Sequence, residues 1–403
     1  MEWLKPVLEG DNLTRIRSYS RRDFVGTSAQ AATAGLLAHA IKPPQLLGML
    51  RRWEADGYND KVVTRVYDPA VASAYSFGEP FYWRKFDTAR IMNMLDTGIV
   101  ELSAAATPQM AWARILPGLS ETSKIVVKVN LNNSTKEWRT AALNTSPSMM
   151  IALAKSLNST GVPSRNIAFI DCSRPFPDEM KDDLLAQCPG VQCIGGGQPG
   201  ASVAQEMPYG GPYIIPQLAI DADFLISCHL MKKHDGGHTG AIKNFFGMKA
   251  DGKVTFAHGD PGWMDGDQCR RIITHSEIRK RLKLCINEAI IAAKTPDTLD
   301  AYQFGALFPG GRPSSLFMSR NPFLQDVVGW DFVRAECSRF PCRSGNRVTW
   351  LRNCAGFLPN WTAAAVESGV LVNGADGLPP MDMSYDPDLI EYISRRVGGV
   401  AAP

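Results

Sequence analysis

The residues best suited to chemistry lie between Ala222 and Gly247, in the stretch ADFLISCHLMKKHDGGHTGAIKNFFG. It opens with an apolar run, Phe224 to Ile226, short enough for a buried strand. The run leads into Lys232, Lys233 and His234. A Gly-Gly turn follows, then His238, Thr239 and Gly240, then a segment of helical character carrying Lys243 and Asn244. Strand, polar loop and helix in that order place polar groups beyond the carboxyl end of a strand, where open parallel sheets bind ligands. A helix N-terminus at such a point also offers backbone N–H groups to an anion.

Two further strand ends carry similar residues. The run KIVVKVNLNN is β-branched through Val129, with Lys128, Asn130, Asn132 and Asn133 at its carboxyl end. Ile167 to Ile170 reads as a strand ending in Asp171, Cys172 and Ser173. Parallel neighbours would bring all three ends to one edge. Such a cluster of cations suits a phosphate or carboxylate ligand, although lysines at strand ends can also be merely solvated. In the ligand reading Lys128, Lys233 and Lys243 neutralise the substrate and His234 is the acid or base. Asn130, Lys232, Thr239, Gly240 and Asn244 complete the binding set. Cys172, at a strand end, is the cysteine placed to act as a nucleophile.

A metal is the competing use of the same stretch. His234 and His238 are four apart, and a loop can converge two imidazoles on one ion. His258 and Asp260 could complete a three-histidine and carboxylate set for a divalent metal such as zinc or iron. Asp326 and Asp331, in DVVGWD at or near the start of a further helix, could bind a metal or a ligand hydroxyl. They could equally cap a helix N-terminus, worth about 0.3–1 kcal/mol.

The elements that must position these groups are legible in outline. Ser146 is a natural N-cap and Pro147 fits the first helical position. Met150, Leu153, Ala154 and Leu157 form an apolar face, and Gly161 ends the helix. Strand, helix and strand from Ile125 to Ile170 make a βαβ unit. The expected fold is therefore α/β, a mainly parallel sheet built from βαβ units with flanking helices and Gly/Pro-rich loop insertions. A helix is expected from Asp87 onward (Ile91, Met94, Leu95, Ile99), and a short one over Pro216 to Ala222. Ile278, Leu282, Cys285, Ala289 and Ala293 suggest one face of a long helix, and residues 380–398 a terminal helix. Residues 188–213, dense in Gly and Pro, read as loop.

At 403 residues with 45% hydrophobic and 21% charged residues, the composition is that of an ordinary globular protein. A net charge of +3 gives no support for a nucleic-acid partner. No apolar run reaches the roughly 18 residues of a membrane helix. None of the nine cysteines forms a C-x-x-C pair, so no ferredoxin-type iron–sulfur cluster is expected. Cys188/Cys193 and Cys337/Cys342 become candidate disulfides if the protein is exported.

The N-terminal 40 residues look like a signal. Ser20-Arg21-Arg22-Asp23-Phe24-Val25 resembles the twin-arginine export motif, a weakly apolar stretch follows to Leu37, and Ala38-His39-Ala40 supplies a cleavage site. This implies the twin-arginine machinery as a partner and a periplasmic or otherwise exported location, with membrane attachment only through an uncleaved signal. The organisation read from the chain is a signal over 1–40, an extension over 41–85 with one strand-like run (Val62 to Tyr67), and an α/β domain over 86–398.

Taken together, KIVVKVN, LMKKH…TGAIKNFFG and DVVGWD resemble the segments of one family, the domain of unknown function numbered 362. The middle segment is the most specific, and the resemblance runs roughly from residue 60 to 395. Val129 and Val327 stand where that family usually has Pro, and His238 where an apolar residue is usual. The family's frequent ferredoxin insertion is absent here. The resemblance implies the α/β fold and a site at the strand ends. Two classes of function follow: an exported enzyme acting on a small anionic ligand, with or without a metal, or a non-catalytic carrier of a cofactor or metal for an exported redox system.

Overall fold

The computed structural model describes residues 56–135, 140–196, 202–206, 212–234, 237–248, 267–294, 303–339, 351, 363–372 and 381–398. The chain enters through β1 (Val62–Tyr67), α1 (Thr88–Ser103) and α2 (Pro108–Ile115). Two overlapping βαβ units come next: β2 (Ile125–Lys128), α3 (Pro147–Asn158), β3 (Ile167–Asp171), α4 (Asp178–Gln187) and β4 (Gln192–Gly195). The hairpin β5 (Ser202–Glu206) and β6 (Pro212–Pro216) leads through α5 (Gln217–Asp221) into β7 (Phe224–His234). Then follow the short β8 (Gly237–His238), α6 (Ala241–Asn244), α7 (Asp267–Thr274) and α8 (Ser276–Arg279). The central strand β9 (Leu282–Ala293), β10 (Ser315–Ser319) and α9 (Pro322–Arg339) precede β11 (Val370–Val372), β12 (Asp382–Ser384) and β13 (Glu391–Arg396).

Among the described residues the main sheet runs β13-β1-β10-β9-β7-β2-β3-β4, with β8 paired to β7. Strands β2, β3, β4, β7 and β9 are mutually parallel, β13 is parallel to β1, and β10 runs antiparallel to both β1 and β9. The expected α/β class with a mainly parallel sheet is what the chain forms.

Each face of the sheet is covered. On one face α1, α2, α3 and α4 pack a core through Ile91, Met94, Leu95, Trp112, Leu153 and Leu184. On the other, α6 and α9 cover Val126, Leu225, Met231 and Cys285 with Ile242, Phe245, Val328 and Phe332. The N-cap read from sequence forms as expected, with Ser146 Oγ accepting from Met149 N at 3.0 Å, although that helix ends at Asn158, before Gly161. Asp87, the expected start of α1, proves to be its cap, its Oδ1 accepting from Arg90 N at 3.1 Å.

Three expectations are corrected. The long helix built on Ile278 to Ala293 is a single helical turn followed by the 12-residue strand β9. β9 lies between β7 and β10 with both faces covered, so apolar residues occupy nearly every position and the helical spacing among them is incidental. The terminal helix over 380–398 is instead β12 and β13, the latter an edge strand beside β1. The loop over 188–213 contains β4, β5 and β6. The strand-like run Val62 to Tyr67 does form a strand, β1, hydrogen-bonded between β10 and β13.

Candidate functional site

β2 and β3 end side by side, their neighbour β7 runs on past Ser227, the partner of Lys128, to His234, and residues at these three carboxyl ends line one cleft. Its walls are Lys128, Asn130 and Asn132 after β2, Asp171 and Ser173 after β3, Lys232 and His234 at the end of β7, Thr239 after β8, and Lys243, Asn244, Phe246 and Gly247 on α6 and the turn beyond it. The strand-end rule thus brings together Lys128, Asn130, Lys232, His234, Thr239, Lys243 and Asn244.

The floor is a buried polar network. Lys128 Nζ lies 3.2 Å from Asp171 Oδ2 and 3.3 Å from Asn244 Oδ1, and also donates to the Val129 carbonyl. Asp171 holds the strand ends together: Oδ2 accepts from Leu131 N at 2.9 Å, and Oδ1 from Ser173 N and Oγ at 3.1 and 2.8 Å. Asn244 Nδ2 donates to the Lys128 carbonyl at 3.0 Å and to Ser227 Oγ at 3.1 Å. Lys232 Nζ reaches Asn130 Oδ1 at 3.2 Å, and Lys243 Nζ stands 4.5 Å over the Phe246 ring. Among the described residues the cleft therefore gathers three ammonium groups against one carboxylate, and that carboxylate is already engaged by Lys128 and by donors of its own loop.

Six predicted residues are not on the described cleft wall: Lys233, His238, Gly240, Asp326, Asp331 and Cys172. Lys233 does not line the cleft; its ammonium donates to the His234 carbonyl at 3.2 Å. Neither does His238. In the β7–β8 hairpin Lys233 pairs with His238 and His234 with Gly237. Directly opposed residues share a face and neighbours alternate. The two histidines therefore point to opposite faces, and the His234/His238 metal pair is not assembled. His258 lies outside the described residues. His238 is buried, with neither ring nitrogen hydrogen-bonded, and burial pulls its pKa down to about 3.

Asp326 is not a cleft residue but a cap on another helix. Its Oδ1 and Oδ2 accept from Ala241 N at 2.5 Å and Ile242 N at 3.0 Å. Burial pushes its carboxyl up to about 8, against those two amides, which lower it. The N-terminus of α6, expected to offer its amides to an anion, therefore spends these two internally. Gly240 is required for this contact, because a Cβ there would stand 1.9 Å from Asp326 Oδ1. Asp331 is buried in mid-helix. It accepts from Gly369 N at 3.0 Å and Arg334 Nη2 at 3.4 Å, and burial raises it to about 6. Cys172 is not on the cleft wall either, and burial beside Asp171 pushes its thiol up to about 12, the reverse of an activated nucleophile.

Asp171, Asn132, Ser173, Phe246 and Gly247 line the cleft without having been singled out as ligand residues. The first three were legible as strand-end positions. The last two follow from α6 turning back over the sheet, where the Gly247 carbonyl accepts from Cys172 N at 2.8 Å.

The family model described as "Domain of unknown function (DUF362)" matches residues 125–331, just over half of the 403-residue chain. Among solved structures, the lactate racemase apoprotein from Thermoanaerobacterium thermosaccharolyticum aligns with a TM-score of 0.35 and 11% identity, over 60% of this chain and 53% of that one. The chain thus spans about half the length of the racemase chain. No curated protein matches.

Proposed function

The chain belongs to the DUF362 family, and we propose that it is an exported enzyme acting on a small phosphate- or carboxylate-bearing substrate held in the cleft at the ends of β2, β3 and β7. The observation that carries this reading is the convergence of Lys128, Lys232 and Lys243 on one cleft in which Asp171 is the one acidic wall residue among the described residues. Lys128 is held by Asp171 and keeps the floor rigid. Lys232 and Lys243 approach from β7 and α6 and neutralise the ligand. His234, half-buried at the last position of β7, puts an imidazole on the wall as the acid or base. Asn130, Asn244 and Thr239 orient the ligand. Asp326 supports α6 from behind.

Two features favour export. The SRRDFV motif precedes an apolar stretch and an A-x-A site. Cys337 is disulfide-bonded, as suits an oxidising compartment. Residues 1–55, which carry the motif, lie outside the described residues. No helix among the described residues is long and apolar enough to cross a membrane.

Native mass spectrometry of the exported protein tests the reading. A small anionic species should be retained by the wild type and absent from a Lys232→Ala/Lys243→Ala variant. His234→Gln should retain the species and lose turnover of it. Retention by the double-lysine variant would overturn the site assignment, and unchanged turnover in His234→Gln would overturn the role of the histidine.

A further inference from the structure

We infer that the anion bound in this cleft is hydroxylated, a phosphorylated or carboxylated polyol or sugar fragment, and that Thr239 reads one of its hydroxyl groups. This rests on the anion-binding reading above and narrows it. Thr239 lines the cleft, is only 3% exposed, and its Oγ1 has no hydrogen-bond partner within the protein. A buried hydroxyl left unpaired is destabilising, so such groups are ordinarily satisfied by something bound. Its own amide is fixed to the Lys232 carbonyl at 2.9 Å, which holds the hydroxyl beside the strand end that carries Lys232.

The rest of the wall points the same way. Beyond the three lysines, His234 and Asp171, the lining is Asn130, Asn132, Asn244 and Ser173, all short amide or hydroxyl side chains. Among the described residues Phe246 is the one aromatic on the wall, and Lys243 already occupies a face of its ring. No aliphatic side chain is among the described lining residues, whereas burying an acyl chain, an aromatic ring or a nucleobase needs a largely apolar wall. Neutral donors and acceptors grouped around a cationic centre instead match a compact ligand with one charged end and several hydroxyls. A site built to hydrogen-bond a hydroxyl discriminates against the analogue that lacks it, because its own polar groups are then stranded.

Calorimetric titration with matched phosphates separates this inference from the reading beneath it. The probes are inorganic phosphate, n-propyl phosphate and glycerol 3-phosphate, the last two of equal carbon number. Glycerol 3-phosphate should bind about ten-fold more tightly than propyl phosphate, equivalent to about 1.4 kcal/mol. Thr239→Val should bring that ratio toward one, and Thr239→Ser should keep it. If inorganic phosphate binds but the two esters bind alike, the hydroxyl inference is overturned and the anion site stands. If none of the three binds, both fall. A ratio that persists in Thr239→Val would remove Thr239 as the reader.

Discussion

Asp326 and Ala241, 85 residues apart in sequence, are joined by a 2.5 Å hydrogen bond in which the aspartate carboxylate caps the helix that presents Lys243 and Asn244 to the cleft. The contact couples α9 to the site without Asp326 reaching it. Asp326→Ala leaves the Ala241 and Ile242 amides buried and unpaired, a loss of about 1–3 kcal/mol by denaturant titration. Gly240→Ala alone, forced against the carboxylate, should cost a similar amount. The double variant Gly240→Ala/Asp326→Ala should be less destabilised than the sum of the singles, since the clash goes with the carboxylate. Strict additivity would mean the two residues are not in contact.

Neighbouring lysines should separate cleanly. Lys232 lines the cleft and Lys233 does not. Lys232→Ala should weaken phosphate binding about 10- to 100-fold, the scale of one lost charge-assisted hydrogen bond. Lys233→Ala should leave binding within about two-fold. The reverse order would place the wrong face of β7 in the cleft.

Lys128 is predicted to matter first for stability. It is buried against Asp171 at 3.2 Å, and removing one partner of such a pair typically costs about 3–5 kcal/mol. Lys128→Met should therefore lower the unfolding midpoint substantially even without ligand. An unchanged midpoint would show that the pair is solvent-screened.

The buried histidines set an acid limb. Burial pulls His238 from the ordinary 6.5 down to about 3, and it lowers His229 in the same direction. Between pH 6.5 and 3 the unfolded chain takes up a proton that folded His238 does not, so this residue lowers stability as pH falls through that window. The slope approaches 1.4 kcal/mol per pH unit at most. Raised carboxyls act in the opposite sense: Glu288, lifted to about 7, and Asp326, lifted to about 8, favour the fold below those values and lose that contribution as pH rises through them. A His238→Gln variant isolates the contribution of this histidine. Its stability relative to wild type should improve steadily from pH 6.5 downward; a difference independent of pH would contradict the assignment.

Export is checked by fractionation. Wild-type protein should leave the cytoplasm and begin after Ala40, with Cys337 resistant to alkylation until reduced. An Arg21→Lys/Arg22→Lys variant should stay inside at full length. Cytoplasmic wild-type protein would end the twin-arginine reading.

Much of the site was legible because its residues sit at strand ends, and strand ends are set by β-branched runs such as Ile125 to Val127. What periodicity could not give was side-chain direction. His234 and His238 are four apart in sequence, yet a hairpin turns between them and puts their rings on opposite faces. Asp326 and Asp331 looked like ligands because a buried carboxylate and a metal-binding one carry the same letters. Only the tertiary contact with Ala241 and Ile242 tells them apart. Leu282 to Ala293 misled for a related reason, since a strand covered on both faces has no polar side to mark its period.

The central claim is that Lys232 and Lys243, with Lys128 behind them, form one anion site. Isothermal titration of inorganic phosphate into wild-type protein and into Lys232→Ala/Lys243→Ala tests it most directly. The account predicts saturable binding at one site per chain that weakens with added salt and disappears in the double variant. Absence of binding to the wild type, or equal binding to both proteins, would contradict it.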